Sequence, residues 1–208
     1  MRLGRFALSA SRLERRGSSR WTRSFGGRRR GEGADVSRWA LCGEERTLQV
    51  GRLIAEVVEP GDAVGLIGDL GAGKTCLVRG LMGGLYAHAG EPSSRGEQEV
   101  SSPTYTLMNV YDAPGRFDPV VHVDLYRLED EDDLESTGYW DMVEGAGLLL
   151  VEWIDTLPGA WPGGDGLTVR LSHTDTGREV ELSWSGVRGE ERLAALSALL
   201  DRGGVPRL

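Results

Sequence analysis

From residue 36 onward, apolar positions recur in short blocks set off by turn-forming residues, whereas residues 1–31 show no helical or strand periodicity. Residues 36–41 read as a short strand. Residues 44–58 place Leu48, Leu53, Ile54, Val57 and Val58 near a 3.6-residue period, which predicts an amphipathic helix. The turn Pro60-Gly61-Asp62 feeds a continuous apolar run at 63–67, the pattern of a buried strand. A second helix is expected over 74–85, directly after a glycine-rich stretch. Residues 86–99 are polar and carry Gly90, Pro92, Ser93, Ser94 and Gly96, so a mobile loop is expected there. Strands follow at 107–111, 120–124 and 148–152, with an acidic helix over 130–137 between the last two. Two final strands, 167–171 and 179–184, are split by the turn Thr176-Gly177, and a helix over 190–200 follows them. Strands alternating with helices, without an internal repeat, predict an α/β fold: one sheet flanked by helices in a single domain spanning 32–208.

Composition narrows the function classes. At 208 residues and 39% hydrophobic, the chain can bury one domain-sized core. It has no run of 18 apolar residues, so a transmembrane helix is not expected. Two cysteines and three scattered histidines exclude a zinc ribbon or a disulfide scaffold.

The formal net charge of −8 joins two unlike segments. Residues 1–31 hold ten Arg against the single acid Glu14, while residues 32–208 hold 14 basic and 31 acidic side chains. An acidic surface repels nucleic acid unless a local basic patch or a partner protein intervenes, so nucleic acid is not expected as a direct ligand of the domain itself. The basic extension at 1–31 reads as a disordered tail; a transit peptide and a polyanion-binding arm share its composition. It lacks the apolar core of a secretory signal, and a cytoplasmic protein without membrane attachment is the expectation.

The chemistry concentrates at Gly68-Asp69-Leu70-Gly71-Ala72-Gly73-Lys74-Thr75, which matches G-x-x-x-x-G-K-[ST]. Glycines at this spacing let backbone N–H groups wrap a phosphate, and the helix starting at Lys74 aims its positive dipole end at it. Lys74 would reach the β- and γ-phosphates of a nucleotide, and the Thr75 hydroxyl would ligate Mg²⁺. Lys74 is the only lysine in the chain. Cys76 adjoins the loop and is most simply a small core residue beside it.

A second buried strand ending in an acid should complete such a site, and two compete. Val120-Val121-His122-Val123-Asp124 ends in Asp124, and Leu148-Leu149-Leu150-Val151-Glu152 ends in Glu152. Either acid could bind the cation directly or through water, and Glu152 could instead position the attacking water. His122 shares a strand face with Asp124 and is expected to orient it rather than to bind metal. In Ser101-Ser102-Pro103-Thr104-Tyr105-Thr106, Thr104 is the candidate γ-phosphate sensor of a flexible segment. Trp153 is read as a core or rim residue before an adenine platform. Arg178 is a candidate for stabilising transition-state charge, set against the ordinary surface position of an arginine in a turn.

Four segments then occur together and in order: Gly68 to Thr75, Ser-Pro-Thr-Tyr-Thr-Leu at 102–107, His-Val-Asp-Leu-Tyr-Arg-Leu at 122–128, and Val-Glu-Trp at 151–153. Over about residues 38–184 the chain resembles the TsaE family (also called YjeE), the small P-loop ATPase of bacterial tRNA threonylcarbamoyladenosine biosynthesis. The resemblance implies ATP and Mg²⁺ as cofactors. It also implies TsaB-like and TsaD-like partners, whose complex modifies adenosine 37 of tRNA through many turnovers when ATP is hydrolysed. By motif it assigns phosphate and metal contacts to Lys74 and Thr75, acidic metal and water roles to Asp124 and Glu152, and the switch to Thr104. The segment from Glu44 to Thr47 corresponds to the region flanking adenine. The extension at 1–31 and the length of the 86–99 segment depart from the family pattern.

A P-loop small-molecule or nucleoside kinase is the alternative, but it needs an arginine-bearing lid, and the 120–140 region is acidic. A familiar guanine-binding Asn-Lys-x-Asp is excluded, because Lys74 is already in the loop. A nucleotide-dependent binding module that hydrolyses nothing is the third class. The motifs hold no arginine finger, so weak activity is expected of the chain alone.

Overall fold

The computed structural model describes residues 37–163 and 166–208; the expected basic extension at 1–31 lies outside the described residues. In chain order the elements are β1 (Ser37–Leu41), α1 (Gly43–Ala55), β2 (Asp62–Ile67), α2 (Lys74–His88), α3 (Ser93–Glu99), β3 (Met108–Tyr111), β4 (Val120–Asp124), α4 (Glu131–Ser136), α5 (Tyr139–Glu144), β5 (Leu148–Glu152), β6 (Gly166–Thr174), β7 (Gly177–Ser185) and α6 (Gly189–Arg202). The strands form one sheet in the order β1-β7-β6-β2-β5-β4-β3. β2 runs parallel to β5 and β6, and β4 parallel to β5. β3, β7 and β1 add antiparallel partners.

Burial explains which runs became strands. Every residue of β2, β4 and β5 is buried, as a parallel strand covered on both faces requires. Alternate residues feed two cores. Val64, Leu66, Leu148 and Leu150 pack under α1, α2 and α6, while Ala63, Ile67, Leu149 and Val151 pack under α4 and α5. The acidic run opening at Asp130 folds as a capped helix: the Asp130 carboxylate accepts from Asp133 N, and the Asp133 carboxylate accepts from Glu129 N. Its acids thus sit at the positive end of the helix.

The structure corrects the predicted elements in two places. Residues 86–99 are not one loop: α2 continues to His88, and Ser93–Glu99 forms α3. Glycine makes this packing possible, since a Cβ on Gly96 would stand 2.6 Å from Met82 O on α2. The Arg52–Glu97 ion pair and the Tyr86 hydroxyl, which donates to Glu99 at 2.6 Å, hold α3 in place. The second correction is α5, which lies in a stretch given no element from sequence. It is a short helix opened by Gly138 in the left-handed region at φ 72°, and its Tyr139 is wholly buried.

Candidate functional site

Glycine geometry shapes the loop between β2 and α2. Gly68, Gly71 and Gly73 have φ of 147°, 78° and 107°, values that L side chains rarely adopt. Gly68 also lies so close to β6 that a Cβ there would stand 2.3 Å from Leu171 O. Asp69 O accepts from Ala72 N at 3.1 Å, closing the loop as a turn, and Leu70 stands exposed at its tip. Gly73 caps α2, whose first residues are Lys74 and Thr75. The loop lies where the parallel strands β2, β5 and β4 end, so Asp124 and Glu152 converge on it, opposite each other in register.

Lys74 is 5% exposed. Its ammonium donates to Gly68 O at 2.6 Å and Asp69 O at 2.9 Å and lies 3.7 Å from the centre of the Trp153 ring. Burial pushes its pKa below the ordinary lysine value, and the negative fields of Glu152 and Asp124 oppose that shift. Beside it, the Thr75 hydroxyl donates to Glu152 Oε1 at 2.8 Å.

His122 corrects an expectation. It does lie on the Asp124 face of β4, but its Nε2 meets Glu152 Oε1 at 2.9 Å. Asp124 is engaged elsewhere: its Oδ1 accepts from Tyr126 N at 3.0 Å, and its Oδ2 accepts the Thr104 hydroxyl. The parallel register that brings Glu152 within reach of His122 is invisible in a single sequence.

Thr104 therefore sits on an acid of the site, and its hydroxyl also pairs with that of Ser102 at 2.7 Å. Tyr111 OH donates to Ser101 O at 3.1 Å and anchors the start of the segment. Leu107 at its end and Trp153 after β5 are the non-glycine residues with positive φ among those described, at 65° and 63°. Such strain clusters at sites where the chain must hold one position. Trp153 is half-buried and lies 5.0 Å from the Tyr126 ring, so it packs at the lysine end of the loop.

The remaining candidates sit behind or beside the loop. Arg178 lies on β7, and its guanidinium donates to Gly71 O at 3.2 Å, so it is drawn to the loop rather than free in a turn. Thr47 is buried against Gly73, where a Cβ would meet its methyl at 3.6 Å. Glu44 is exposed, and its carbonyl faces the Cys76 thiol at 3.7 Å. Burial raises the Cys76 pKa to about 11, with the Glu44 charge adding to the effect. The structure thus places Thr75, Glu152, Trp153 and Arg178 beside Lys74 and its loop, Thr104 on Asp124, Thr47 against Gly73, and Glu44 against Cys76. Sequence reasoning missed the His122–Glu152 contact and the pairing of the Ser102 and Thr104 hydroxyls, although Ser102 stood in the flagged segment.

The donors suit a small hard cation: one hydroxyl and two carboxylates, all oxygen. Among the described residues, no group of three or more His, Cys, Asp or Glu converges on one point. A cation here would complete its shell with phosphate oxygens and water, as Mg²⁺ does.

A parallel core carrying a glycine loop between its central strand and the next helix defines a P-loop protein of the α/β class. The family model described as "Threonylcarbamoyl adenosine biosynthesis protein TsaE" matches residues 41–180. The chain belongs to the TsaE family. The Haemophilus influenzae tRNA threonylcarbamoyladenosine biosynthesis protein TsaE is 36% identical over 155 residues, covering 72% of this chain and 90% of its own. Its Nostoc counterpart is 38% identical over 147 residues, covering 69% of this chain and 83% of its own. The crystal structure of Bacillus subtilis YdiB matches with a TM-score of 0.58 at 26% identity, covering 80% of this chain and 97% of that one. No helix among the described residues is long and apolar enough to cross a membrane.

Proposed function

We propose that the protein is a Mg²⁺-dependent ATPase whose hydrolysis lets a TsaB–TsaD complex threonylcarbamoylate adenosine 37 of tRNA repeatedly. The observation that carries the ATPase reading is the Thr75–Glu152 hydrogen bond beside Lys74. It brings together a P-loop hydroxyl, an acid from the neighbouring strand and the chain's single lysine at the end of a glycine-rich turn. The pathway and the two partners rest on family membership and on the relatives' names.

In this reading the loop N–H groups and the α2 dipole hold the phosphates, and Lys74 leaves its two carbonyls to neutralise their charge. Thr75, Glu152 and Asp124 would hold the cation. Bound Mg²⁺ supplies Lewis-acid neutralisation at the phosphate oxygens. Thr104 moves between Asp124 and the terminal phosphate, and the Ser101–Tyr111 contact roots the segment that carries it. Arg178 adds positive charge beside Gly71. The acidity of the domain leaves tRNA to the partners, and the site works in the cytoplasm.

Phosphate release from MgATP, with and without TsaB and TsaD, tests the reading. Slow release by the chain alone, increased by the pair and abolished in Lys74→Ala, is the expected result. Transfer of the γ-phosphate to a small-molecule acceptor would contradict it and establish a kinase. Tight ATP binding without phosphate release under either condition would also contradict it.

A further inference from the structure

We infer that His122 is a positioning residue for Glu152, donating a proton from Nε2 so that one carboxylate oxygen is fixed and the other is left for the site. The inference rests on the ATPase reading for its consequence and on the hydrogen bonding alone for its geometry. His122 is completely buried on β4, between the Tyr111 ring at 6.2 Å and the Glu152 carboxylate. Its Nδ1 is buried and finds no hydrogen-bond partner among the described residues. That asymmetry identifies the proton-bearing atom. A proton on Nδ1 alone would bury an unsatisfied donor and aim the Nε2 lone pair at a carboxylate. A proton on Nε2 gives the carboxylate its donor and leaves Nδ1 no worse than an idle acceptor.

Two donors then fall on the same oxygen. Thr75 Oγ1 and His122 Nε2 both bind Glu152 Oε1, at 2.8 and 2.9 Å. Held from the P-loop helix and from β4, Oε1 is fixed in direction, and Oε2 would be left to face the cation. Partners behind a ligating carboxylate fix its direction in this way. When a cation takes the Thr75 hydroxyl, His122 becomes the remaining protein donor that holds Glu152 in place.

His122→Leu removes the donor, and His122→Gln restores one on a side chain of similar reach. With the wild-type protein and TsaB–TsaD, His122→Leu should lower kcat for phosphate release about 10- to 100-fold and leave KM for ATP within about twofold. His122→Gln should recover most of the loss. Equal loss in both variants, or a loss confined to KM, would overturn the positioning role.

The ¹⁵N spectrum of the His122 ring in the wild-type protein gives a second reading that needs no catalysis. A proton on Nε2, with its signal shifted in Glu152→Gln, is expected. A neutral ring protonated on Nδ1 overturns the inference. If the wild-type protein releases no phosphate, the ATPase reading fails by itself, and this spectrum still decides the fate of His122.

Discussion

Lys74 is a buried ammonium held by two carbonyls of its own loop and one face of Trp153, so its environment asks for negative charge. Removing it should cost more than a surface lysine would. Lys74→Ala is expected to reduce phosphate release by about 100-fold or more, in line with loss of a preorganised charge at a phosphoryl centre. Release within about twofold of wild type would contradict its role.

The two cysteines make a separate test at the same scale. Cys42 is exposed, whereas the Cys76 thiol is half-buried with its pKa raised to about 11. The thiolate is the reactive form, so the Cys76 thiol stays almost wholly protonated near neutral pH. Alkylation with iodoacetamide, followed by mass spectrometry, should label Cys42 first. Cys76 labelling should climb about tenfold per pH unit until the pH nears its pKa. Equal labelling of both at neutral pH would contradict the buried placement.

At the scale of elements, α1 and α2 approach at backbone distance because glycines face the contact. A Cβ at Gly80 would stand 2.1 Å from Leu48 O, and one at Gly84 would stand 2.5 Å from the Ala55 Cβ. Gly80→Ala should therefore destabilise the fold although alanine favours helices, by about 1–3 kcal/mol for the forced separation. Urea unfolding measures it, and an unchanged or raised midpoint would refute the close approach.

The glycines also explain what could be read from the sequence. The strands β2, β4 and β5 were legible as buried apolar runs, and the loop was legible because Gly68, Gly71, Gly73, Lys74 and Thr75 each answer a local demand. Helix α3 was not, because Gly96 and the two serines before Arg95 resemble loop chemistry until their packing on α2 is known. Helix α5 was hidden for a related reason: six residues span too few turns to show a period. The His122–Glu152 contact depends on strand order and register, which no single segment encodes.

At the scale of the whole molecule, the site occupies one end of the sheet, and the other end is tied by a buried ion pair. Arg192 on α6 meets the Asp62 carboxylate at the start of β2, donates to Val57 O at 2.8 Å, and lies 4.2 Å from the Trp184 ring. Asp62 also accepts from Glu59 N at 2.6 Å. Breaking one side leaves a buried charge, so Arg192→Leu should cost about 3–5 kcal/mol by urea unfolding and leave KM for ATP unchanged. A KM change at preserved stability would mean that the two ends of the sheet communicate.

Residues 32–208 form an acidic domain, and the proposed function casts it as a component that spends ATP on behalf of partners rather than one that handles tRNA itself. The most direct test counts modified adenosines per TsaD over many cycles, with MgATP and threonylcarbamoyl donor in excess. Without this protein the count should stop near one per complex. With it the count should rise with time, and Lys74→Ala should return it to the plateau. A count that climbs equally in all three cases would contradict the account.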